Sequence, residues 1–257
     1  MTADMTQHGV AVELAGIHKR YGDHDVLSGV DLKIEPGKLV AILGQSGTGK
    51  SVLLRQIIGL ERPDAGRIAV GGLELERYLA MPPGEKPFRM AMVFQNAALL
   101  ASLTVAENVS LRLREHGRRN ASEITEITRR VLEQVELSGT ENKLPSALSG
   151  GMRKRVAIAR ALAVDPELIL YDEPTADLDP ILTEEIGRLI TRICDIRGST
   201  QIIVTHNLPL ARSLASRIAV LDQGRIAEYS TPEELGRSSN RLTREFLRAA
   251  ALEMRGD

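Results

Sequence analysis

Short runs that alternate apolar and polar positions, or that are apolar throughout and rich in β-branched residues, recur along the chain. Stretches of helical spacing separate them, which is the pattern of an α/β protein. Val12 to Ile17, Val26 to Ile34 and Lys38 to Leu43 read as strands, and the last leads into the glycine-rich "GQSGTGKS" of residues 44–51 and then the apolar helix "SVLLRQIIGL". Further strands are predicted at Met90 to Phe94, Leu168 to Asp172, Gln201 to Thr205 and Arg217 to Leu221, with a hairpin through "DQGR" at 222–225. From Thr104 to Val164 only helical periodicity is found, for example at Ile124, Ile127, Val131 and Leu132, with polar turns at "EHGRRNAS" and "LSGTENKLPS". This predicts a helical subdomain, residues 98–164, inserted between the two parts of an α/β core, residues 1–97 and 165–237. A helix from Ile181 to Ile196 carries Leu182, Ile186, Leu189, Ile190 and Ile193 on one face, which suits packing on a sheet. The tail, residues 238–257, has amphipathic spacing through Leu242, Phe246, Ala250 and Met254.

Composition changes this picture mainly by exclusion. With 33 basic and 34 acidic residues the net charge is -1, so no general electrostatic attraction to nucleic acid or to an anionic membrane is expected. Cys194 is the only cysteine, which rules out an internal disulfide and a cysteine-built metal site and is consistent with a reducing compartment. Its place on the core-facing side of a predicted helix gives it no chemistry. The N-terminus lacks the basic start and apolar core of a signal peptide, and no stretch reaches the roughly 18 apolar residues of a membrane span. If the protein acts at a membrane, another chain is expected to do the crossing.

The chemistry-bearing residues cluster at predicted strand ends. In residues 44–51 the glycines allow successive backbone N–H groups to turn toward phosphate oxygens, Lys50 can reach the β- and γ-phosphates, and the Ser51 hydroxyl can ligate Mg²⁺. "LILYDEPTADLDP" ends an apolar strand in Asp172 and Glu173, adjacent carboxylates expected on opposite sides of the chain. A carboxylate beside a phosphate loop can hold hydrated Mg²⁺ and its neighbour can orient the attacking water, which assigns Asp172 to metal and Glu173 to water. Gln95 and His206 end two other predicted strands, where ligands of parallel sheets collect. Tyr21 can stack on an adenine ring or serve as a turn aromatic. "ALSGGMRKRVAIARAL", Ala147 to Leu162, has the look of a second phosphate cradle, a serine and two glycines at a helix start. Its first turn nevertheless holds Arg153, Lys154 and Arg155, cations that oppose the helix dipole unless an anion lies over them.

In order along the chain, Tyr21, "GQSGTGKS", Gln95 in "VFQN", "LSGGM", "LILYD" with Glu173, "ADLD" and His206 resemble the motifs of the ATP-binding subunits of ABC transporters, over about Val12 to Leu235. The resemblance implies the ABC nucleotide-binding fold, a P-loop NTPase α/β core with an N-terminal antiparallel β region and the inserted helical subdomain. It implies ATP and Mg²⁺ as cofactors and assigns Glu173, His206 and Gln95 to catalysis. Ser51, Asp172 and Gln95 fall to the metal. Tyr21, Gly44, Ser46, Gly47, Gly49, Lys50, Ser51, Ser149, Gly150, Gly151 and Asp179 fall to nucleotide binding. In such subunits two copies pack head to tail, so that the "LSGG" of one covers the γ-phosphate held by the loop of the other, with Asp179 communicating between the sites. The cationic turn 153–155 would then lie near nucleotide or neighbouring acidic groups. Met152 and Asp177 depart from the commonest pattern, which has Gln and a small residue there; neither removes a catalytic group.

"LPSALSGGM", "FQNAALLASLTVAENV", "LREH" and "LDPI" are similar to the ATPases of MCE-type lipid transport systems. That implies a multi-span permease and a membrane-tethered lipid-binding protein as partners, phospholipid as cargo, and a peripheral place on the cytoplasmic face of the inner membrane. A polar amino-acid or other small-solute importer is the alternative within transport; a regulatory ATPase of iron–sulfur assembly or cell division is the alternative outside it. The apolar "NAALLASLT" suits either a groove for a permease helix or internal packing, and the tail suits either the dimer or its own subunit.

Overall fold

The structure is a computed structural model and describes residues 8–115, 119–241, 243–245, 247 and 248. Two sheets organise it. β1 (Val12–Tyr21), β2 (His24–Ile34), β4 (Ala65–Val70) and β5 (Leu73–Glu74) form an antiparallel sheet in the order β2-β1-β4-β5. A six-stranded sheet runs β10-β9-β3-β8-β7-β6 and is built from β3 (Leu39–Leu43), β6 (Met90–Val93), β7 (Leu168–Asp172), β8 (Thr200–Thr205), β9 (Arg217–Asp222) and β10 (Arg225–Ser230). Its ladders are parallel except for the β9–β10 hairpin.

Both faces of the six-stranded sheet are covered, and for that reason β3, β7 and β8 are buried at every position. Leu39, Ala41, Leu43, Ile169, Tyr171 and Ile203 belong to one core with α3 (Val105–Glu115), α4 (Ala121–Gln134), α5 (Gly150–Ala163), α6 (Pro180–Arg197) and α7 (Leu208–Leu214). The alternate residues Val40, Ile42, Leu168, Leu170, Ile202 and Val204 join α1 (Lys50–Ile57) and the antiparallel sheet in a second core. The short helices α2 (Leu75–Ala80) and α8 (Pro232–Leu235) and a 3-10 turn at Pro145–Ala147 complete the elements among the described residues.

The predicted strands and the helix on the sheet are present. In α6, Ile186, Leu189, Ile190, Ile193 and Cys194 are buried, while Ile181 and Ile196, at its ends, are exposed. β1 is longer than its apolar pattern, which ends at Ile17, because pairing with β2 continues to Tyr21 and His24. β4, β5, α2, α7 and α8 had no sequence signal that singled them out. The tail positions Leu242, Phe246, Ala250 and Met254 lie outside the described residues; residues 241, 243–245, 247 and 248 are helical, and Leu247 packs against the helix-side core. No helix among the described residues is long and apolar enough to cross a membrane.

Candidate functional site

β3, β8, β7 and β6 are consecutive in the sheet and parallel, so their carboxyl ends lie side by side. Residues 44–49 follow β3, His206 follows β8, Asp172 closes β7, and Gln95 lies two residues beyond β6. This gathering at one sheet end is where open α/β folds bind ligands.

The loop after β3 is glycine-dependent for stated reasons. A Cβ on Gly44 would lie 2.5 Å from the Leu221 carbonyl oxygen and 2.8 Å from Thr48 Oγ1, and Gly47 and Gly49 have φ of 83° and 98°, the left-handed region that costs other residues strain. Gly49 caps α1 without a side-chain bond, and no acidic residue occupies the first turn. The N–H groups there are open to an anion. Lys50 is buried and donates to the carbonyls of Gly44 (2.8 Å) and Gln45 (2.9 Å), which holds its ammonium in the hollow of the loop. Burial pulls its pKa below the ordinary lysine value, and Glu173 and Asp172 oppose that pull. Ser46 and Gly47 form the exposed crest of the loop.

Ser51 Oγ donates to Asp172 Oδ1 at 2.7 Å. Two hard oxygen ligands brought together from α1 and β7 form a donor set that fits Mg²⁺. Glu173 follows Asp172 with φ of 44°, and this turn overrides strand alternation. The two carboxylates do not diverge: Asp172 meets Ser51, and Glu173 Oε1 lies 3.6 Å from Nζ of Lys50, the preceding residue of the same helix. Both Glu173 oxygens are 3.1 Å from His206 Nδ1, and the imidazole is largely exposed while the carboxylate is mostly covered. A carboxylate backed by an ammonium and an imidazole at the mouth of a phosphate loop can accept a proton from water and hold the water in line.

Gln95 is exposed, and its main-chain carbonyl accepts from Lys154 Nζ. Arg160, a turn and a half further along α5, donates to the carbonyls of Ala97 (2.7 Å) and Ala98 (2.6 Å). Those two alanines have φ of 57° and 47°, a strained pair that the guanidinium holds in place. From α3 the buried Asn108 grips the same segment, accepting from Leu100 N–H and donating to the carbonyls of Leu100, Leu103 and Thr104. In "NAALLASLT", Ala97 is buried and Leu99 packs on the core, whereas Leu100 is exposed. Arg160 and Asn108 were not singled out in the sequence, where a polar residue on the buried side of each helix was the signal available; Lys154 was noted only as one of three cations at a helix start, not for its hold on Gln95.

Ser149, exposed, caps α5 by accepting from Met152 N–H at 3.2 Å. The cations of this turn are engaged within the chain, Arg155 by neighbouring acidic groups. Arg153 bonds the Leu148 carbonyl (2.7 Å), Lys154 the Gln95 carbonyl, and Arg155 Glu136 (2.7 Å) and Glu185 (3.0 Å). The adverse interaction with the helix dipole is thereby offset locally. Asp179 caps α6, accepting from Ile181 N–H (2.9 Å) and Leu182 N–H (3.0 Å). Tyr21 is half-exposed at the end of β1, and its hydroxyl donates to Glu61. Ser149 to Gly151, Asp179 and Tyr21 therefore stand apart from the cluster formed by Lys50, Ser51, Asp172, Glu173 and His206.

Such a fold and such a cluster define a phosphate-loop α/β protein built to bind and hydrolyse a nucleoside triphosphate. The sequence model of the family described as ABC transporter matches residues 27–176. The chain is 38% identical over 239 residues to the probable ribonucleotide transport ATP-binding protein mkl of Mycobacterium leprae, over 93% of this chain and 69% of that protein. It is 40% identical over 229 residues to the sulfate/thiosulfate import ATP-binding protein CysA of Caulobacter vibrioides, over 88% of this chain and 66% of that one. These curated relatives are longer, and the chain spans about two thirds of them. Among solved structures it is similar to the ATP-binding cassette MJ0796 in a dimeric post-hydrolysis state bound to ADP and Pi, with a TM-score of 0.76, 33% identity, and 86% of this chain and 98% of that chain covered. The chain belongs to the ABC transporter family and is an ATPase subunit of that family.

Proposed function

We propose that this ATPase works as a head-to-tail pair that closes on ATP, opens after hydrolysis, and so drives a separate membrane permease, with phospholipid or another envelope lipid as cargo. The observation that carries the chemical part is the Ser51–Asp172 and Lys50–Glu173–His206 arrangement at the mouth of the phosphate loop. Bound Mg²⁺ would supply charge neutralisation for the phosphates, held by Ser51, Asp172 and Gln95. Lys50 and the uncapped N–H groups of α1 bind the triphosphate, Glu173 takes the proton of the attacking water, and His206 orients Glu173. Tyr21 offers the base a stacking surface.

The pairing is supported by the glycines at the start of α5. An added Cβ would meet nothing closer than 3.7 Å at Gly150 and 3.4 Å at Gly151, and neither has a left-handed backbone. At a backbone position that alanine could adopt, glycine costs about 0.4–1 kcal/mol through the entropy of the unfolded chain, so a requirement from outside the chain is a reason for both. A γ-phosphate held by a second copy, met by Ser149 and these two glycines, supplies it. Its loss on hydrolysis weakens the joint. The solved cassette MJ0796, similar to this chain, is itself described as dimeric. Residues 98–164 would act as a subdomain that carries these glycines relative to the core, and exposed Leu100, in the segment that follows Gln95, offers an apolar contact to a permease.

The lipid cargo rests on the segments "FQNAALLASLTVAENV" and "LPSALSGGM" and their likeness to the ATPases of MCE-type systems. Import of a small polar solute is the second reading, favoured by the 40% identity to a protein named for sulfate/thiosulfate import. Purification from native membranes in mild detergent, followed by mass identification of co-purifying proteins and lipids, separates the two. A multi-span protein with a membrane-tethered lipid-binding partner and enriched phospholipid is the expected result. A multi-span protein with a soluble binding protein and no lipid enrichment would favour solute import; a soluble scaffold with no multi-span protein would favour a regulatory ATPase and refute transport.

A further inference from the structure

Glu61 connects Tyr21, at the end of β1, to α1, the helix that follows the phosphate loop. α1 stops at Ile58 and Gly59, whose φ of 80° turns the chain back. The Glu61 N–H then bonds the Arg55 carbonyl at 3.2 Å, while Glu61 Oε2 accepts from Arg55 Nε at 3.3 Å. Backbone and side chain together fix Glu61 to the helix whose first residues, Lys50 and Ser51, close the phosphate loop. Its other oxygen, Oε1, accepts the Tyr21 hydroxyl from the antiparallel sheet. Although partial burial pulls the Glu61 carboxyl upward, the bonds from Tyr21 and Arg55 hold it below the usual carboxylate range.

The two faces of the Tyr21 ring are not equivalent. Lys19 Nζ lies 5.5 Å from the ring centroid, fastened by the Arg62 carbonyl (2.9 Å), Asp64 Oδ1 (3.0 Å) and Glu61 Oε1 (3.6 Å). One face is thus shut by a fixed cation, and the half-exposed ring presents the other.

We infer that Glu61 is a positioning residue for base recognition. By holding the Tyr21 hydroxyl with one oxygen and α1 with the other, it fixes the stacking surface at a set distance and tilt from the phosphate loop, and Lys19 directs the purine to the free face. The inference rests on the reading of Tyr21 as the base platform. A surface ordered before binding loses less entropy on binding, so the effect belongs to the base and not to the phosphates. Sequence gives no hint of it, because Glu61 and Tyr21 are far apart in the chain and meet only in the fold.

The test measures binding of ATPγS and of inorganic tripolyphosphate to the full chain by titration calorimetry, for Glu61→Ala, Glu61→Gln, Tyr21→Phe, Tyr21→Ala and the double variant Tyr21→Phe/Glu61→Ala. Glu61→Ala and Tyr21→Phe should each weaken ATPγS about fivefold, within the net worth of one hydrogen bond to a charged group. Both should leave tripolyphosphate within about twofold. Glu61→Gln, whose amide oxygen still accepts from Tyr21, should recover part of the loss, and the double variant should be no worse than Glu61→Ala alone. Unchanged ATPγS binding in Glu61→Ala and Tyr21→Phe alongside weakened binding in Tyr21→Ala would overturn the inference and spare the platform. Unchanged binding in Tyr21→Ala as well would remove both. A parallel loss of tripolyphosphate would assign Glu61 to the phosphate loop or the fold and also overturn the inference.

Discussion

Replacing Glu173 with Gln changes one atom at the centre of the cluster, and three consequences can be derived from its surroundings. First, the amide keeps an acceptor near His206 Nδ1, now 3.1 Å from both carboxylate oxygens, but it cannot take a proton from water. Loss of a positioned base costs on the order of 10²–10⁴ in rate, so turnover should fall at least about 100-fold. Second, a negative charge leaves the mouth of the phosphate loop, so affinity for ATP should stay the same or rise. Third, Lys50 loses a partner at 3.6 Å. At the effective dielectric that suits such pairs the attraction is about 5 kcal/mol before desolvation. Desolvation of the two ions removes most of this, and Lys50 keeps the Gly44 and Gln45 carbonyls and nearby Asp172. The net loss of stability in the nucleotide-free protein should therefore be about 1–2 kcal/mol. Phosphate release under single-turnover conditions, calorimetric ATP binding and urea unfolding measure the three separately. Hydrolysis at the original rate by a variant that binds ATP normally would refute Glu173 as the base, and His206 would be the next group to replace.

Three further outcomes are expected. Ser51→Ala and Asp172→Asn should each raise the Mg²⁺ concentration for half-maximal turnover at least about tenfold, by analogy with lost metal ligation, and chelation of Mg²⁺ should stop turnover altogether; retention of normal Mg²⁺ dependence in both would remove them from the metal site. Ser149→Ala should cost about 1 kcal/mol as a lost helix cap, measurable by urea unfolding, whereas Ser149→Phe should abolish turnover and leave ATP binding by the monomer intact; loss of monomer binding would mean that Ser149 acts within its own chain. Burial pushes the Cys194 thiol up to about 11, so below that pH the folded protein holds it protonated. At pH 8 its alkylation by iodoacetamide should be about 100-fold slower in the folded than in the unfolded chain, and equal rates would contradict its burial on the core-facing side of α6.

What the sequence made legible divides by the kind of interaction that fixes each feature. Strands such as β3, β7 and β8 are buried on both faces, so each is an unbroken apolar run, and the residues just beyond them were open to chemical reading. β4 buries only Ile68 and Val70 fully and opens with Ala-Gly, and α2 buries Leu75 and Tyr78 in six residues; neither is long enough for a period to emerge. Glu173 shows a different limit. Strand alternation predicts that it points away from Asp172, but a φ of 44° at a residue other than glycine is set by the surrounding structure. The engagement of Arg153, Lys154 and Arg155 by Leu148, Gln95, Glu136 and Glu185 depends on contacts between segments far apart in the chain, which no local pattern encodes.

Glycine provides the complementary case, because its meaning depends on what surrounds it. At Gly44 the chain itself forbids a side chain, the Leu221 carbonyl lying 2.5 Å from where a Cβ would stand, so the residue explains nothing about a partner. At Gly150 and Gly151 the chain would accept a Cβ at ordinary contact distance and the backbone is helical, yet alanine, which loses less conformational freedom on folding, is absent from both positions. Two unexplained glycines at a helix start, beside an exposed serine whose hydroxyl already satisfies one N–H, leave the rest of that N-terminus free for an anion. The loop of the same chain is closed by Lys50 and backed by its own sheet, and Arg153 to Arg155 are committed elsewhere. On the proposed head-to-tail pairing, an anion brought by a second copy would account for a sequence that is costly for one chain and useful for two. Gly150→Ala tests this last step: stability should rise by about 0.4–1 kcal/mol while turnover falls, and a gain in stability with turnover unchanged would refute it.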